Sequence, residues 1–261
     1  MTFFSTFNKP KHPVAVVIPV YREEVTPYER IALEQCLKVL KDYPTFMIAP
    51  DGLLLDVYPP KTTCPTITFP SQYFTSIRGY NQLMLSPEFY RRFFEFRYIL
   101  IYQLDSFVFS DQLSNWCEAS YDYVGAPWLG LNRREDAKGL LPPWERRNAL
   151  RNLLNLKISN VGNGGFSLRK VRSFFRLSIL LKKVAKNWPR NEDIFWSFAA
   201  PCYYPFFKKP DVQQAMNFAF ELNPREAFKF NQNRLPFGCH AWWKYDFSFW
   251  EQTIRNLGYS L

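Results

Sequence analysis

Three places in this chain hold side chains whose type and spacing suit chemistry. The first is Asp105. Residues 98–102 read Tyr-Ile-Leu-Ile-Tyr, an unbroken branched and aromatic run, and after Gln103-Leu104-Asp105 the chain turns apolar again at Phe107-Val108-Phe109. An ionised carboxylate in such surroundings needs compensation. A divalent cation would supply it, since hard cations take oxygen ligands; a helix cap or an arginine partner would do so equally well. The second place is Asn191-Glu192-Asp193, ahead of Ile-Phe-Trp. Neighbours on a helix point roughly 100° apart, so one carboxylate can face a cleft as a general base while the other orients or pairs. Complementing the helix dipole is the simpler role for the two acids. The third is Phe237-Gly238-Cys239-His240-Ala241-Trp242-Trp243, with one of only two histidines in the chain. A glycine before it and two tryptophans after it suit either a ligand or a hydrogen-bonded structural ring. Between these lies Val161-Gly162-Asn163-Gly164-Gly165-Phe166-Ser167-Leu168, with three glycines in four positions. It is a tight turn or a close backbone approach to a ligand, without the lysine-threonine ending of a phosphate loop.

Elements must position these groups. Residues 14–20 and 45–49 read as buried strands, with 66–69 a shorter third. Thr26-Pro27 is a helix start, with Tyr28, Ala32, Cys36, Val39 and Leu40 on one face. Strand, helix, strand within fifty residues opens a parallel α/β sheet. The pattern further predicts a helix over 89–96, the central strand over 98–102 and another strand over 121–128. Residues 171–186 read as a basic amphipathic helix, 191–198 as a short helix, 237–243 as a loop and 247–257 as a closing helix. Residues 129–157, rich in arginine around Pro142-Pro143, read as a basic insertion.

Composition bounds the function. Hydrophobic residues make up 47% and aromatics 19%, which excludes a disordered protein. The net charge of +10 favours anionic partners: a nucleotide, an acidic glycan, a phospholipid surface or a nucleic acid. Five widely spaced cysteines without zinc-ligand spacing fit a reducing cytoplasm. Residues 1–13 lack the features of a signal peptide, and no apolar segment reaches membrane-spanning length.

Taken in order, the Ile-Pro-Val first strand, Arg-Gly-Tyr-Asn, Tyr-Gln-Leu-Asp, Tyr-Asp-Tyr-Val-Gly-Ala-Pro-Trp, Val-Gly-Asn-Gly-Gly-Phe-Ser-Leu-Arg, Asn-Glu-Asp-Ile-Phe-Trp and Pro-Phe-Gly-Cys-His-Ala-Trp form a specific set. From Val14 to about Trp243 the chain resembles a domain family of GT-A-type glycosyltransferases from bacterial surface-polysaccharide gene clusters. The resemblance implies an α/β, GT-A-like (Rossmann-like) fold, a mixed and mostly parallel central sheet flanked by helices with a basic helical insertion. It implies one domain over residues 1–261, with a nucleotide-binding half at about 14–125 and an acceptor-binding half at about 126–261. The activity implied is transfer of a hexose from a nucleotide-sugar donor, UDP-linked, to a hydroxyl of a surface glycan or glycolipid, inverting and assisted by Mn²⁺ or Mg²⁺. Asp105 and His240 match the metal ligands, and Gln103 stands where a first aspartate is usual, leaving one strong ligand where two are common. Asn163, Gly164 and Gly165 match the sugar wall. Asp193 matches the catalytic base, with Glu192 orienting the acceptor or pairing with Arg190 or another cation. The strand-end rule adds Pro19, Val20, Tyr21 and Arg22 around the base, with Asp51, Arg78 and Asn81 nearby. Trp128, Trp242 and Trp243 either stack on sugars or fill the core. Anionic membrane contact on the inner face is expected of the basic segments, and nucleic acid is not expected. A sugar-phosphate nucleotidyltransferase and a basic nucleic-acid-binding protein are the competing readings.

Overall fold

The structure is a computed structural model and describes residues 12–59, 64–131, 133–141 and 158–261. Six strands form the main sheet: β1 (His12–Pro19), β2 (Thr45–Pro50), β3 (Thr66–Phe69), β4 (Phe96–Tyr102), β6 (Tyr123–Val124) and β7 (Phe166–Lys170), in the order β3-β2-β1-β4-β7-β6. The first four pair in parallel, with Val16 opposite both Thr45 and Leu100. Val14, Ala15, Val16, Val17 and Ile18 are all fully buried, which a strand covered on both faces requires. Each such side chain is worth roughly 1.5–3 kcal/mol. One apolar cluster lies on each side of the sheet, with Val14, Val16 and Ile18 in one and Ala15 and Val17 in the other. The crossover from β1 to β2 is the helix Pro27–Val39. It starts on a capping box: Thr26 Oγ1 accepts from Glu29 N at 3.3 Å, and Glu29 Oε2 from Thr26 N at 2.9 Å.

β7 runs antiparallel to β4, so its N-terminal end lands where β4 finishes. The glycine turn therefore arrives beside Gln103 and Ser106, whose backbone N and Oγ donate to Gly165 O at 2.8 and 3.1 Å. A second sheet of three short strands has the order β5-β9-β8: β5 (Phe107–Val108), β9 (Gly238–Cys239) and β8 (Ala219–Phe220). β5 is antiparallel to β9 and β8 is parallel to it. The residue just after β8 is Glu221 and the residue just after β9 is His240, while Asp105 comes just before β5. Those directions deliver all three polar side chains to one corner.

Several sequence expectations change. The helix expected at 89–96 is Pro87–Arg91, and Phe96 instead opens β4 opposite His12. Only Tyr123–Val124 of 121–128 pairs as a strand with β7, after which Pro127 bridges to Val161. The basic helix stops at Leu181 between Val171–Leu180 and Lys182–Lys186. The acidic helix runs on from Glu192 through a π turn at Phe195–Ala199 to Tyr203. The 237–243 loop contains β9. Of the basic insertion, residues 132 and 142–157 lie outside the described residues. In its described part Arg133 pairs with Asp136 and Lys138 with Glu135. Among the described residues no helix is long and apolar enough to cross a membrane, and the five cysteines are buried and not joined in disulfides.

Candidate active site

A cleft of about 900 Å³ opens at the C-terminal ends of β1 and β4, where open α/β sheets bind ligands. β1 contributes Pro19, Val20, Tyr21 and Arg22. β4 contributes Gln103, Leu104 and Asp105. The glycine turn contributes Gly164 and Gly165, and the acidic helix Asn191, Glu192 and Asp193. Glu221, His240, Trp243 and Lys244 close the far wall.

At the corner set by the small sheet, the His240 imidazole is clamped between two carboxylates. Nδ1 is 2.9 Å from Glu221 Oε1 and Nε2 is 3.1 Å from Asp105 Oδ1. The second Asp105 oxygen accepts from Lys244 Nζ at 2.6 Å. Burial favours a neutral ring, but Asp105 and Glu221 outweigh it and raise the His240 pKa to about 10. Burial likewise opposes an ionised Asp105, yet His240 and Lys244 hold it well below the usual carboxylate range. Gln103 Oε1 stands 3.3 Å from His240 Nε2. Asn163 is buried and works as a strut: its Oδ1 accepts from Gly165 N and Phe166 N at 2.8 and 2.7 Å, with Nδ2 3.2 Å from His240 Nδ1. A β-carbon at Gly165 would overlap the His240 ring and come within 2.7 Å of Gln103 Oε1. Glycine is required there because the imidazole packs directly on the backbone.

Among the described residues no three histidine, cysteine, aspartate or glutamate side chains stand grouped as a ready metal shell. The donors instead close on one another through protons. Their chemistry nonetheless suits a hard divalent cation on the Nε2 side of the ring, where the Asp105 carboxylate and the Gln103 amide oxygen both stand within hydrogen-bond reach of the imidazole, while Glu221 holds the ring from Nδ1. Five carboxylates line the cleft, Glu29, Asp105, Glu192, Asp193 and Glu221. Arg22 pairs with Glu29, Lys244 with Asp105 and His240 with Glu221, so among the described residues lining the cleft every cation already has an acidic partner. Metal binding would require the imidazolium proton to leave and Lys244 to swing aside, which its half-exposed side chain permits.

The two acids of the acidic helix part company. Glu192 is buried and accepts both Arg169 guanidinium nitrogens, Nη2 at 2.7 Å on Oε1 and Nη1 at 3.1 Å on Oε2. The cation expected to hold Glu192 is thus Arg169, inside β7, rather than Arg190. Asp193 faces the cleft. Burial, reinforced by Glu192 and Glu221, raises its pKa to about 7, with Oδ1 accepting from Ile194 N at 2.8 Å.

Other expected residues fall elsewhere. Asp51 is exposed at the turn after β2, where its backbone N–H donates to Phe69 O, and it does not line the cleft. Arg78 lines a neighbouring pocket, whereas Asn81 belongs to both and its Oδ1 accepts from Glu192 N at 3.2 Å. Trp128 is buried and stacks on Phe198, and Trp242 is buried among Tyr28, Phe107 and Phe247. Neither is a sugar platform: both fill core, and the Trp242 backbone N–H donates to the Asp105 carbonyl at 3.2 Å. The exposed edge of the pair is Trp243, which does line the cleft. Sequence reasoning missed Arg169, Glu221 and Lys244. A charged residue inside the strand Phe-Ser-Leu-Arg and a carboxylate ending the run Phe-Ala-Phe-Glu were the available signals.

No curated protein sequence matches the chain. Among solved structures, the galactosyltransferase LgtC in complex with donor and acceptor sugar analogues is similar at 13% identity with a TM-score of 0.51, covering 93% of this chain and 94% of LgtC. An active-site mutant of LgtC gives a TM-score of 0.52 at 13% identity over 94% and 95%. At that identity the likeness is one of fold: the mixed, mostly parallel sheet flanked by helices of GT-A glycosyltransferases. The family model described as a protein of unknown function, DUF5672, matches residues 63–240, and the chain belongs to that family.

Proposed function

We propose that this protein is a glycosyltransferase that moves a hexose from a nucleotide-sugar donor, UDP-linked, to a hydroxyl of a bacterial surface glycan or glycolipid, with inversion. The observation that carries the reading is Asp193. It is a carboxylate with a pKa near 7 on the wall of a strand-end cleft, beside a second cluster of oxygen and nitrogen donors. A base with a pKa near the working pH combines deprotonation with proton affinity. In the reaction Asp193 takes the proton of the acceptor hydroxyl as that oxygen bonds to the anomeric carbon. The bond from that carbon to the diphosphate breaks, and the electron pair leaves with the nucleoside diphosphate. The transition state is oxocarbenium-like, as in glycoside hydrolysis. Asp105 and His240 Nε2 would hold a divalent cation, with Glu221 orienting the ring from Nδ1; bound there, the cation would supply positive charge to the departing diphosphate. Pro19, Val20, Tyr21 and Arg22 border the nucleotide, and Gly164 and Gly165 the sugar.

The direct test is calorimetric titration with UDP. Binding is expected with Mn²⁺ and is expected to weaken at least tenfold without the metal or in Asp105→Asn. If none of UDP, GDP, ADP, CDP or dTDP binds under either condition, the transferase reading fails.

The same reading places the enzyme at the inner face of the cytoplasmic membrane. In support, Ile179 and Leu180 are exposed next to the exposed Lys182 and Lys183, a mix suited to an anionic surface at about 1 kcal/mol per basic side chain. Sedimentation with vesicles should need anionic lipid and fall with salt; equal binding to neutral vesicles would count against it.

A further inference from the structure

Beside the main cleft lies a second pocket of about 380 Å³. The two share Ile77, Asn81 and Asn191 as a common wall. Their charge is opposite in kind. Among the described residues five carboxylates line the cleft, whereas no acidic residue lines the second pocket, which is bordered by Arg78, Lys186 and Arg190. All three cations are exposed. Among the described residues the cations lining the cleft, Arg22, His240 and Lys244, are each held in an ion pair, so Arg78, Lys186 and Arg190 are the positive charges positioned to meet a ligand.

The rest of the pocket is built for a sugar-sized guest. Trp188 lines it, with its indole N–H donating to Asn191 O at 3.1 Å and its ring edge-on to Phe195 at 5.3 Å, so the ring is fixed in place. Asn81 Nδ2 donates to Asn191 Oδ1 at 3.3 Å and so ties the two sides of the wall together. Asn191 is two residues before Asp193. The shared wall therefore separates the second pocket from the cleft that Asp193 lines.

We propose that this pocket is the acceptor subsite and that it recognises an acidic group, so that the acceptor is an anionic sugar, a glycosyl phosphate or a uronate. The proposal rests on the transferase reading and adds its acceptor class. The acidic cleft repels such a group, and the basic pocket holds it at a distance from Asp193, leaving a hydroxyl of the same molecule at the base. Asp193 would otherwise meet the acceptor's own negative charge.

The test uses the full chain and three sugars: α-glucose 1-phosphate, glucuronic acid and methyl α-glucoside. Titrations followed by tryptophan fluorescence are run with UDP and Mn²⁺ present, which fills the donor cleft, and again without nucleotide. At least one charged sugar should bind tenfold or more tightly than methyl α-glucoside, and the tighter of the two identifies the acid. The double variant Lys186→Gln/Arg190→Gln should erase that preference while leaving UDP binding unchanged. The proposal is overturned if methyl α-glucoside binds as well as both charged sugars, if the preference survives in the double variant, or if inorganic phosphate binds as tightly as glucose 1-phosphate. The last result would mark a bare-anion site. UDP binding without a charged-sugar preference sinks only this proposal; absence of any nucleotide binding takes the transferase reading with it.

Discussion

Asp193→Asn is expected to lower kcat by about 10²–10⁴ while leaving UDP affinity unchanged, the range for loss of a general base. The same substitution should stabilise the protein at alkaline pH. Folding raises the Asp193 pKa from 3.8 to about 7, because burial and the neighbouring Glu192 and Glu221 disfavour its charge. The folded state thus binds the proton more tightly than the unfolded chain. Stability falls as pH climbs from the ordinary carboxylate range to about 7, and the full penalty is present above that. At 1.36 kcal/mol per pKa unit this amounts to at most about 4 kcal/mol. Asparagine carries no such penalty, so the melting temperature should rise at pH 8 and change little at pH 4. Wild-type kcat/KM should rise with pH through about 7 as the base deprotonates, with an apparent value belonging to the coupled acids together. A dead variant with no gain in stability at pH 8 would mean that Asp193 is an ordinary structural acid. An active one would remove it as the base.

Arg169→Met should be among the most damaging single changes in the molecule. Arg169 is fully buried in β7 and meets Glu192 bidentately, Tyr90 Oη at 3.1 Å, Ser167 Oγ at 3.0 Å and Gly164 O at 3.3 Å. Its guanidinium also lies 5.6 Å from the Phe174 ring. Removing it strands a buried carboxylate, at a cost of about 3–5 kcal/mol. At roughly 2–4 °C per kcal/mol for a chain of this size, the melting temperature should fall by on the order of 10 °C. The Arg169→Met/Glu192→Met double variant should recover much of that loss, since no charge is then left unpaired. It should not recover activity. The pair fixes the start of the acidic helix, and without it Asp193 is no longer held against the cleft. If the double variant is as unstable as the single one, Arg169 stabilises through its other contacts and the pair is incidental. Full activity in the double variant would show that Asp193 is positioned without it.

What the sequence determined by itself is the part written in local patterns. The runs at 14–20, 45–49 and 98–102 are too apolar and too short for anything but buried strands, and Thr26-Pro27 with Glu29 carries its own helix cap. The carboxylate ending the central run pointed to a strand-end site, and the order of the motifs pointed to the GT-A fold. The adjacent acids Glu192 and Asp193 were legible as a pair with divided roles. Local patterns did not show which cation holds Glu192, because Arg169 lies 23 residues away and reaches it only through the antiparallel return of β7. Nor did they show that Glu221 and Lys244 join Asp105 and His240. That corner is made by three strands of two residues each, too short to leave a periodic signal, and their pairing spans more than a hundred residues between Phe107 and Cys239. Trp128 and Trp242 could not be assigned from sequence, since a tryptophan's area suits a sugar face and a core equally. The tertiary structure decided by burying both and leaving Trp243 at the cleft. Strand direction and burial are properties of the folded whole, and at this site they determine which polar groups meet and which of them stays charged.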